Sequence, residues 1–418
     1  MSSTYQRRIV DGELAERLRA TGAVALEGPK ACGKTVTARQ IAASEALLDV
    51  DVDARRAAAV NPALVLAGAT PRLIDEWQLE PAIWNHVRRA VDDRRAPGQF
   101  ILAGSSVPPD DITRHTGAGR ITRLRMRPMT LSEVGASSGE ISLARLLEGE
   151  GQQSGETGLT IMDLAREIAV GGWPGFRSLA VERAVRSVRD YLEEIRRVDV
   201  SRVEERRRNP DKVGQLLRSL ARNTGTYASV ATLARDANSR DEPVKRETVS
   251  EYLDVLGRLM ILEDQPAWAP HLRSRYALRG AAKRHFVDPS LAVAALRATP
   301  ERLLGDVRLL GFLFESLVVR DLRVYAQAAD AQVLQYRDSN GLEVDAIVET
   351  ADGRWAAFEV KLGTGQLDEA SATLHRFARQ IDTERSGAPA ALGVIVGTGY
   401  GYLREDGIAV IPIGALGP

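Results

Sequence analysis

The chain has 418 residues, 44% hydrophobic and 27% charged, the composition of a globular protein with room for roughly two to four domains. Its 56 basic and 56 acidic residues cancel, so the chain as a whole is not a polycation seeking nucleic acid, and any such site must be a local patch. One cysteine, Cys32, excludes an internal disulfide and a cysteine-built zinc cluster; with a polar start at Met1–Gln6 and no apolar run long enough to span a bilayer, the expectation is a cytoplasmic protein without membrane contact.

In chain order, Asp11–Thr21 reads as an amphipathic helix with Leu14, Leu18 and Ala15 inward. The apolar run Ala23-Val24-Ala25-Leu26 then leads as a strand into Gly28-Pro29-Lys30-Ala31-Cys32-Gly33-Lys34-Thr35, and Thr35–Ala43 reads as a helix. The eight residues fit the P-loop pattern G-x-x-x-x-G-K-[ST]. Gly28 and Gly33 permit a tight bend that turns successive N–H groups toward phosphate oxygens. Lys34 reaches the β- and γ-phosphates and the Thr35 hydroxyl ligates Mg²⁺, which makes a nucleoside triphosphate with Mg²⁺ the expected ligand. The alternative is a glycine-rich strand–helix turn that holds nothing. Cys32 has two readings, a small filler within the loop or a thiol whose oxidation blocks nucleotide binding.

Leu47–Val52 is the second apolar run, ending at Asp53, and Arg72–Glu76 is the third, ending in Asp75 and Glu76. Acids at that place after a P-loop fit a metal-binding Asp75 and a Glu76 that polarises the attacking water, against the plainer reading of an acidic strand end in solvent. Pro81–Asp92 is helical, with Ile83, Val87 and Val91 on one face. Gln99–Ala103 is a fourth strand ending Gly104-Ser105-Ser106, which places Ser105 either near the γ-phosphate or as a cap for the next segment. Ile121–Met129 alternates, Leu124 and Met126 on one side and Arg123, Arg125 and Arg127 on the other. Strands alternating with helices predict an α/β unit with a parallel sheet covered on both faces.

Gly135–Gly158, rich in Gly, Ser, Glu and Gln, reads as a linker or surface insertion. Asp163–Val200 reads as helices broken at Gly171-Gly172-Trp173-Pro174-Gly175, and Asp211–Leu262 as three helices with turns at Gly225 and Asn238-Ser239. That spacing suits a helix-turn-helix or winged-helix unit. Its third helix balances Lys245, Arg246 and Arg258 against Glu247, Glu251 and Asp254, which favours a packing or partner-binding role over duplex reading. Six lysines stand among the 56 basic residues, at 30, 34, 212, 245, 283 and 361, so a retained lysine marks a place that needs an ammonium, as at Lys34 and Lys361, while chance placement serves for the other four.

The run Gly28–Thr35, then Pro71–Trp77, then Phe100–Ser106 resembles a family of prokaryotic AAA+-type ATPases whose C-terminal domain is catalogued as a domain of unknown function. The resemblance covers nearly the whole chain. It implies an AAA+-like P-loop core, a winged-helix-like middle, a nuclease-like C-terminal domain and a homo-oligomer. In such relatives a neighbouring subunit lends an arginine to the γ-phosphate, and Arg120, after Gly117-Ala118-Gly119, stands where the family has a Gly-Arg pair. An arginine on a solvated strand end is the other reading.

Further on, a helix over Leu309–Tyr325 carries Glu315, and Val333–Asp338, Leu342–Val348 and Arg354–Lys361 are strands joined by turns at Asn340-Gly341 and Ala351-Asp352-Gly353. A three-residue second loop pairs Thr350 with Arg354, Asp345 with Glu359 and Glu343 with Lys361. Glu359 and Lys361 then share a face, and two facing carboxylates call for a cation between them, Mg²⁺ held by oxygens beside an ammonium. Asp345 followed by Glu359-Val360-Lys361 resembles the PD-(D/E)xK nuclease core, with Glu315 matching the helix acid of some members and Val344 departing from the usual proline. The resemblance implies metal-binding carboxylates and a lysine that assists phosphodiester hydrolysis; a surface Glu–Lys ladder on a helix–hairpin core is the alternative. Leu367–Gln380 is helical, and strands at Leu392–Val396 and Ile408–Ile413 follow. The expected plan is an ATPase domain over 1–135, a linker or insertion over 136–160, a helical and winged-helix-like region over 161–285 and a nuclease-like domain over 286–418. Its expected partners are ATP and, at the C-terminal domain, nucleic acid or a protein.

Overall fold

A computed structural model describes residues 5–106, 116–150, 153–200, 209–237, 244–270 and 282–418. The expected turn at Asn238-Ser239 and the first four residues of the polar start lie outside them.

Five strands form the first sheet: β1 (Ala23–Glu27), β2 (Ser44–Leu47), β3 (Arg72–Asp75), β4 (Phe100–Gly104) and β5 (Ile121–Arg125). Their order is β2-β3-β4-β1-β5 and every pair is parallel. Alternate residues feed two cores. Ala23, Ala25, Ile74, Phe100 and Leu102 pack with Ile83, Trp84 and Val87 of the helix Ile83–Arg94. Val24, Leu26, Leu73, Ile101 and Ala103 pack with Leu14 and Leu18 of the helix Val10–Ala20. Burial on both faces explains why these strands read as unbroken apolar runs. All five strands end at one edge, and the chain crosses β1 on its way from β4 to β5, the place where such sheets take ligands.

Two expected elements shift. The second strand is Ser44–Leu47, not Leu47–Val52, because the Asp51 side chain accepts the Ala54 amide at 2.9 Å and caps a helix over Val52–Val60. The helix after the P-loop is Lys34–Arg39, shorter than Thr35–Ala43, because the Ala43 amide has already turned to the Pro71 carbonyl at the sheet.

The stretch expected as a linker is built into the fold. It contains β6 (Ile141–Ser142), a short helix Leu143–Leu147 and β7 (Gly155–Thr157). Ile141, Leu143, Leu146 and Leu147 are buried, so polar composition around them hid a packed apolar quartet. The helices Ile161–Val170, Val181–Glu194, Pro210–Arg222, Val230–Ala237 and Arg246–Arg258 follow, then an antiparallel hairpin of β8 (Leu262–Gln265) and β9 (Lys283–Phe286).

The helix Val307–Ala328 is buried over most of its length and leads into β10 (Ala331–Arg337), β11 (Glu343–Thr350), β12 (Trp355–Lys361), β13 (Ala391–Val396), β14 (Gly399–Leu403), β15 (Ala409–Pro412) and β16 (Leu416–Gly417). A mixed sheet runs β10-β11-β12-β13-β15-β14-β7, so a strand from the expected linker closes its far edge, while β6 pairs with β16. The Gly-Tyr-Gly-Tyr run of β14 gave no apolar alternation to announce a strand. One apolar core runs without a break from the middle helices through the helix Val307–Ala328 to one face of this sheet; the other face packs under the helix Leu367–Gln380.

Candidate functional site

The P-loop leaves the carboxyl end of β1 and curls back on itself. Gly28 has no room for a side chain, since a Cβ would lie 2.2 Å from the Met126 carbonyl oxygen. Ala31 and Gly33 take positive φ values of 60° and 106°, which is the bend that aims amides inward. The buried Lys34 ammonium lies in this curl and donates to the Gly28 and Pro29 carbonyls, each at 2.9 Å. Cys32 is fully buried, with its thiol on the Met126 carbonyl, and acts as filler; a buried thiol is a poor redox sensor.

Next to the loop, the Thr35 hydroxyl donates to Asp75 Oδ2 at 2.8 Å. The other oxygen, Oδ1, is buried with no hydrogen-bond partner among the described residues. Burial pushes the Asp75 carboxyl upward and the Thr35 bond pulls against it. A buried carboxylate oxygen with nothing to accept, beside a hydroxyl, is the incomplete oxygen set that a hard cation completes, so these residues fit Mg²⁺. Glu76 takes a left-handed turn, φ 51°, at the end of β3. That turn swings its carboxylate toward β4, where Ser105 Oγ donates to Glu76 Oε2 at 3.1 Å and Gln78 Nε2 donates to the same oxygen. Gln78 also reaches Ser105 Oγ at 3.3 Å. The sheet thus gathers Gly28–Thr35, Asp75, Glu76 and Ser105 at one edge.

Three participants were assigned no role from the sequence. Gln78 is one. Arg8 is another: buried, it donates to the Cys32 carbonyl and the Arg127 carbonyl at 2.8 Å each and pairs with Glu133 at 3.0 Å. The third is Asp199, in a π-helical turn at Ile195–Asp199, whose carboxylate lies 2.5 Å from the Lys30 ammonium while Tyr191 donates to the Lys30 carbonyl at 3.1 Å. The Gly171–Gly175 break also abuts the loop, as a Cβ on Gly33 would stand 3.5 Å from Pro174.

Arg120 is not brought to the P-loop of its own chain. Its carbonyl accepts the Ala23 amide at the start of β1, a strand length of about 13 Å from the loop. Its guanidinium pairs with Asp92 at 2.8 Å. A part at a γ-phosphate would need a second copy.

At the C-terminal end, β11 and β12 pair Ala346 with Phe358 and Glu349 with Trp355, so Asp345 falls beside Glu359 one step on. Asp345 Oδ2 accepts the Val360 amide at 3.0 Å, and Lys361 lies 2.7 Å from Glu359 on their shared face. Glu343 instead pairs with Arg337 across β10, at 3.0 Å, because the strands part before its expected partner Lys361. Glu315 also arrives, from the long helix. The unexpected member is Lys283 of β9, whose buried ammonium lies 2.9 Å from Glu315 Oε1 and 3.1 Å from Asp345 Oδ1. Among the described residues no three His, Cys, Asp or Glu side chains converge to hold a metal. Burial and the Asp345 charge push Glu359 up to about 8, and burial pushes Glu315 up to about 7 against the pull of Lys283. Burial acts the same way on Asp345, but Lys283 and Lys361 together hold it below the ordinary carboxylate range. Lys283, Glu315, Asp345 and Lys361 line a cleft of about 640 Å³ together with Thr226, Tyr227, Arg308, Phe312 and Gln366. No helix among the described residues is long and apolar enough to cross a membrane.

Comparison with known proteins gives three family matches: residues 20–135 to an AAA domain, residues 161–302 to a domain of unknown function (DUF8612) and residues 310–416 to a second domain of unknown function (DUF4143). No match is found among curated proteins. Among solved structures, the Walker-type ATPase PABY2304 of Pyrococcus abyssi aligns at 12% identity and a TM-score of 0.44 over 71% of this chain and 97% of that one. A structure of Drosophila ORC bound to DNA aligns at 11% identity and a TM-score of 0.18 over 71% of this chain and 89% of that one. The P-loop, its strand order and the family match agree over residues 20–135, which resemble an AAA domain with a P-loop.

Proposed function

We propose that the chain is a Mg²⁺-dependent ATPase whose AAA+-type domain drives conformational change in a C-terminal nuclease-like domain acting on nucleic acid. The observation that carries the ATPase part is the contact of Thr35 with Asp75, with one Asp75 oxygen left over, beside the curled loop that holds Lys34. Carbonyls are modest partners for an ammonium, so phosphate oxygens displace them and Lys34 neutralises the β- and γ-phosphates. Thr35 and Asp75 would hold the metal, which supplies charge neutralisation across those phosphates. Glu76, oriented by Ser105 and Gln78, polarises the attacking water. A second copy in a homo-oligomer would have to supply the arginine.

The test separates binding from turnover. Lys34→Ala is expected to lose ATP binding by calorimetry and all hydrolysis at an unchanged far-UV spectrum. Glu76→Gln is expected to bind ATP and fail to hydrolyse it. Undiminished hydrolysis in the lysine variant refutes the site.

For the output, a second reading is favoured by Lys283: a nucleotide-gated switch whose cleft binds a nucleic acid or protein without cutting it. A nuclease assay with Mg²⁺ or Mn²⁺ on wild type and Asp345→Ala decides. Cleavage lost in the variant supports the coupled enzyme, and intact DNA and RNA with working ATPase supports the switch.

A further inference from the structure

We propose that Lys283 is a resident cation standing between Glu315 and Asp345, so that the C-terminal cleft is a metal-free binding site and not a metal-dependent hydrolytic one. The inference rests on the switch reading of the C-terminal domain and explains why that domain would hold without cutting.

The argument begins with charge. Three carboxylates and two ammoniums meet in contact pairs: Lys283 lies against both Glu315 and Asp345, and Lys361 lies against Glu359. Lys283 contacts one oxygen of Glu315 and one of Asp345, the two acids that a divalent ion shared by helix and hairpin would have to bridge. Its side chain is only 4% exposed, so the ammonium does not trade places with solvent. A divalent ion in the same gap would sit against a fixed positive charge and compete with the ammonium for Glu315 Oε1 and Asp345 Oδ1. The second Asp345 oxygen is spoken for as well, by the Val360 amide. Glu359 is turned to Lys361.

The lysine is also fixed from behind. Two residues along β9, the buried His285 bonds Ser316 of the long helix at 2.9 Å and Gln265 of β8 at 3.1 Å. Gln265 in turn donates to the carbonyls of Leu334 at 2.9 Å and Asp345 at 2.8 Å. The Trp268 amide beyond β8 adds a bond of 2.6 Å to the Gln335 carbonyl. Withdrawing Lys283 with its hairpin means breaking this set together. The hairpin's Leu262 and Phe286 belong to the apolar core shared with the long helix, which holds it in the same place. Lys283 is thus built in, and the ammonium is part of the floor of the cleft. The cleft is also lined by Arg308, the rings of Tyr227 and Phe312, and Lys361 with its Glu359 contact.

The test is Mn²⁺ binding to the full chain without nucleotide, followed by the electron paramagnetic resonance of the free ion. The signal of interest is the part removed by Asp345→Asn, so an ion held near Thr35 and Asp75 drops out and failure here is distinct from failure of the ATPase reading. Wild type is expected to show no Asp345-dependent Mn²⁺. Lys283→Ala and the better-filled Lys283→Met are expected to gain one such ion, with Kd on the order of 10⁻³ M or tighter. Asp345-dependent Mn²⁺ in wild type overturns the proposal, and that arm stands whether or not the lysine variants fold. Folded lysine variants that gain no ion overturn it too, since the gap would then not be a cation position.

Discussion

Glu263 on β8 offers a direct measure of how firmly the ATPase domain is fastened to the hairpin that carries Lys283. Its carboxylate takes two bonds from Arg127, at 2.5 and 3.0 Å, and lies 3.6 Å from Arg323 of the long helix. Burial raises the Glu263 carboxyl, yet Arg127, Arg323 and Arg125 outweigh it and hold the group well below its ordinary range. Glu263→Gln keeps the shape and removes the charge, leaving three guanidiniums facing one another in a mostly buried pocket. Breaking a buried pair from one side costs about 3–5 kcal/mol; with the Glu263 side chain 19% exposed, the lower end, about 3 kcal/mol, is expected. Part of that is the stranding of arginines, so the pair itself is measured by a double-mutant cycle with Arg127→Gln, read on the first unfolding transition in urea. A coupling energy of about 1.5 kcal/mol or more is expected, because the bond is bidentate and largely dry. A coupling below about 0.5 kcal/mol refutes the view that this cluster fastens the two parts.

Gly28→Ala forces a Cβ to within 2.2 Å of the Met126 carbonyl, so the loop must shift; ATP affinity by calorimetry should fall at least 10-fold while the parallel sheet remains folded. Asp199→Asn frees the Lys30 ammonium that now lies 2.5 Å from Asp199; by linkage, ATP affinity should rise about threefold or more, and an unchanged or lower affinity counts against a shared Lys30. The acids of the C-terminal cluster give a pH signature. Glu359 at about 8 and Glu315 at about 7 bind a proton more tightly in the fold than at their ordinary 4.5, so stability is greatest at the acid side and declines as pH rises from about 4.5 toward 8. The slope is about 1.4 kcal/mol per pH unit for each proton retained, and Glu359→Gln should flatten it in denaturation at pH 5 against pH 8.

Much of the grouping at the candidate site was legible because its residues lie close together in the sequence. A P-loop spends eight consecutive residues on one job, and Asp75-Glu76 and Ser105 announce themselves as polar ends to apolar strands. The hairpin register was legible for a similar reason, since a three-residue turn sets the pairs near it, out to Ala346 with Phe358, though not Glu343 with Lys361 where the strands part. What escaped depends on contacts far apart in sequence. Lys283 meets Glu315 and Asp345 across 32 and 62 residues, and a lone lysine before Arg284-His285-Phe286 carries no spacing signal. The scarcity of lysine singled out Lys34 and Lys361 and left Lys283 to chance placement with Lys30, Lys212 and Lys245, and nothing in the sequence separates those four. β7 escaped because a sheet edge accepts three residues of little character, Gly155-Glu156-Thr157, through backbone bonds alone.

The distribution of apolar and polar contacts says where nucleotide-driven motion can occur. The middle helices, the long helix and one face of the C-terminal sheet share a single core, with Leu192, Leu220, Leu291, Phe314, Phe358 and Ile395 in one continuous cluster. Such packing is all or none and does not slide by fractions of an ångström. The N-terminal P-loop unit keeps two cores of its own, one on each face of its sheet, and sends only Leu131 and the partly buried Ile9 to the shared core. Across the seam stand polar contacts: Lys30 with Asp199, Arg127 with Glu263, Gln327 with Glu13 at 2.7 Å, and the Leu131 amide on Asp321 at 2.9 Å. Charged and hydrogen-bonded pairs exchange partners at far lower cost than a core reopens, so a seam of this kind is where one body turns against another. Lys30 and, through Arg8, the backbone of Arg127 both lead from this seam into the phosphate loop. On the proposed function, a phosphate that drew Lys30 away from Asp199 or disturbed the Arg8 bond to the Cys32 carbonyl would act on the seam at two points, and the parts that share the single core would respond as one piece.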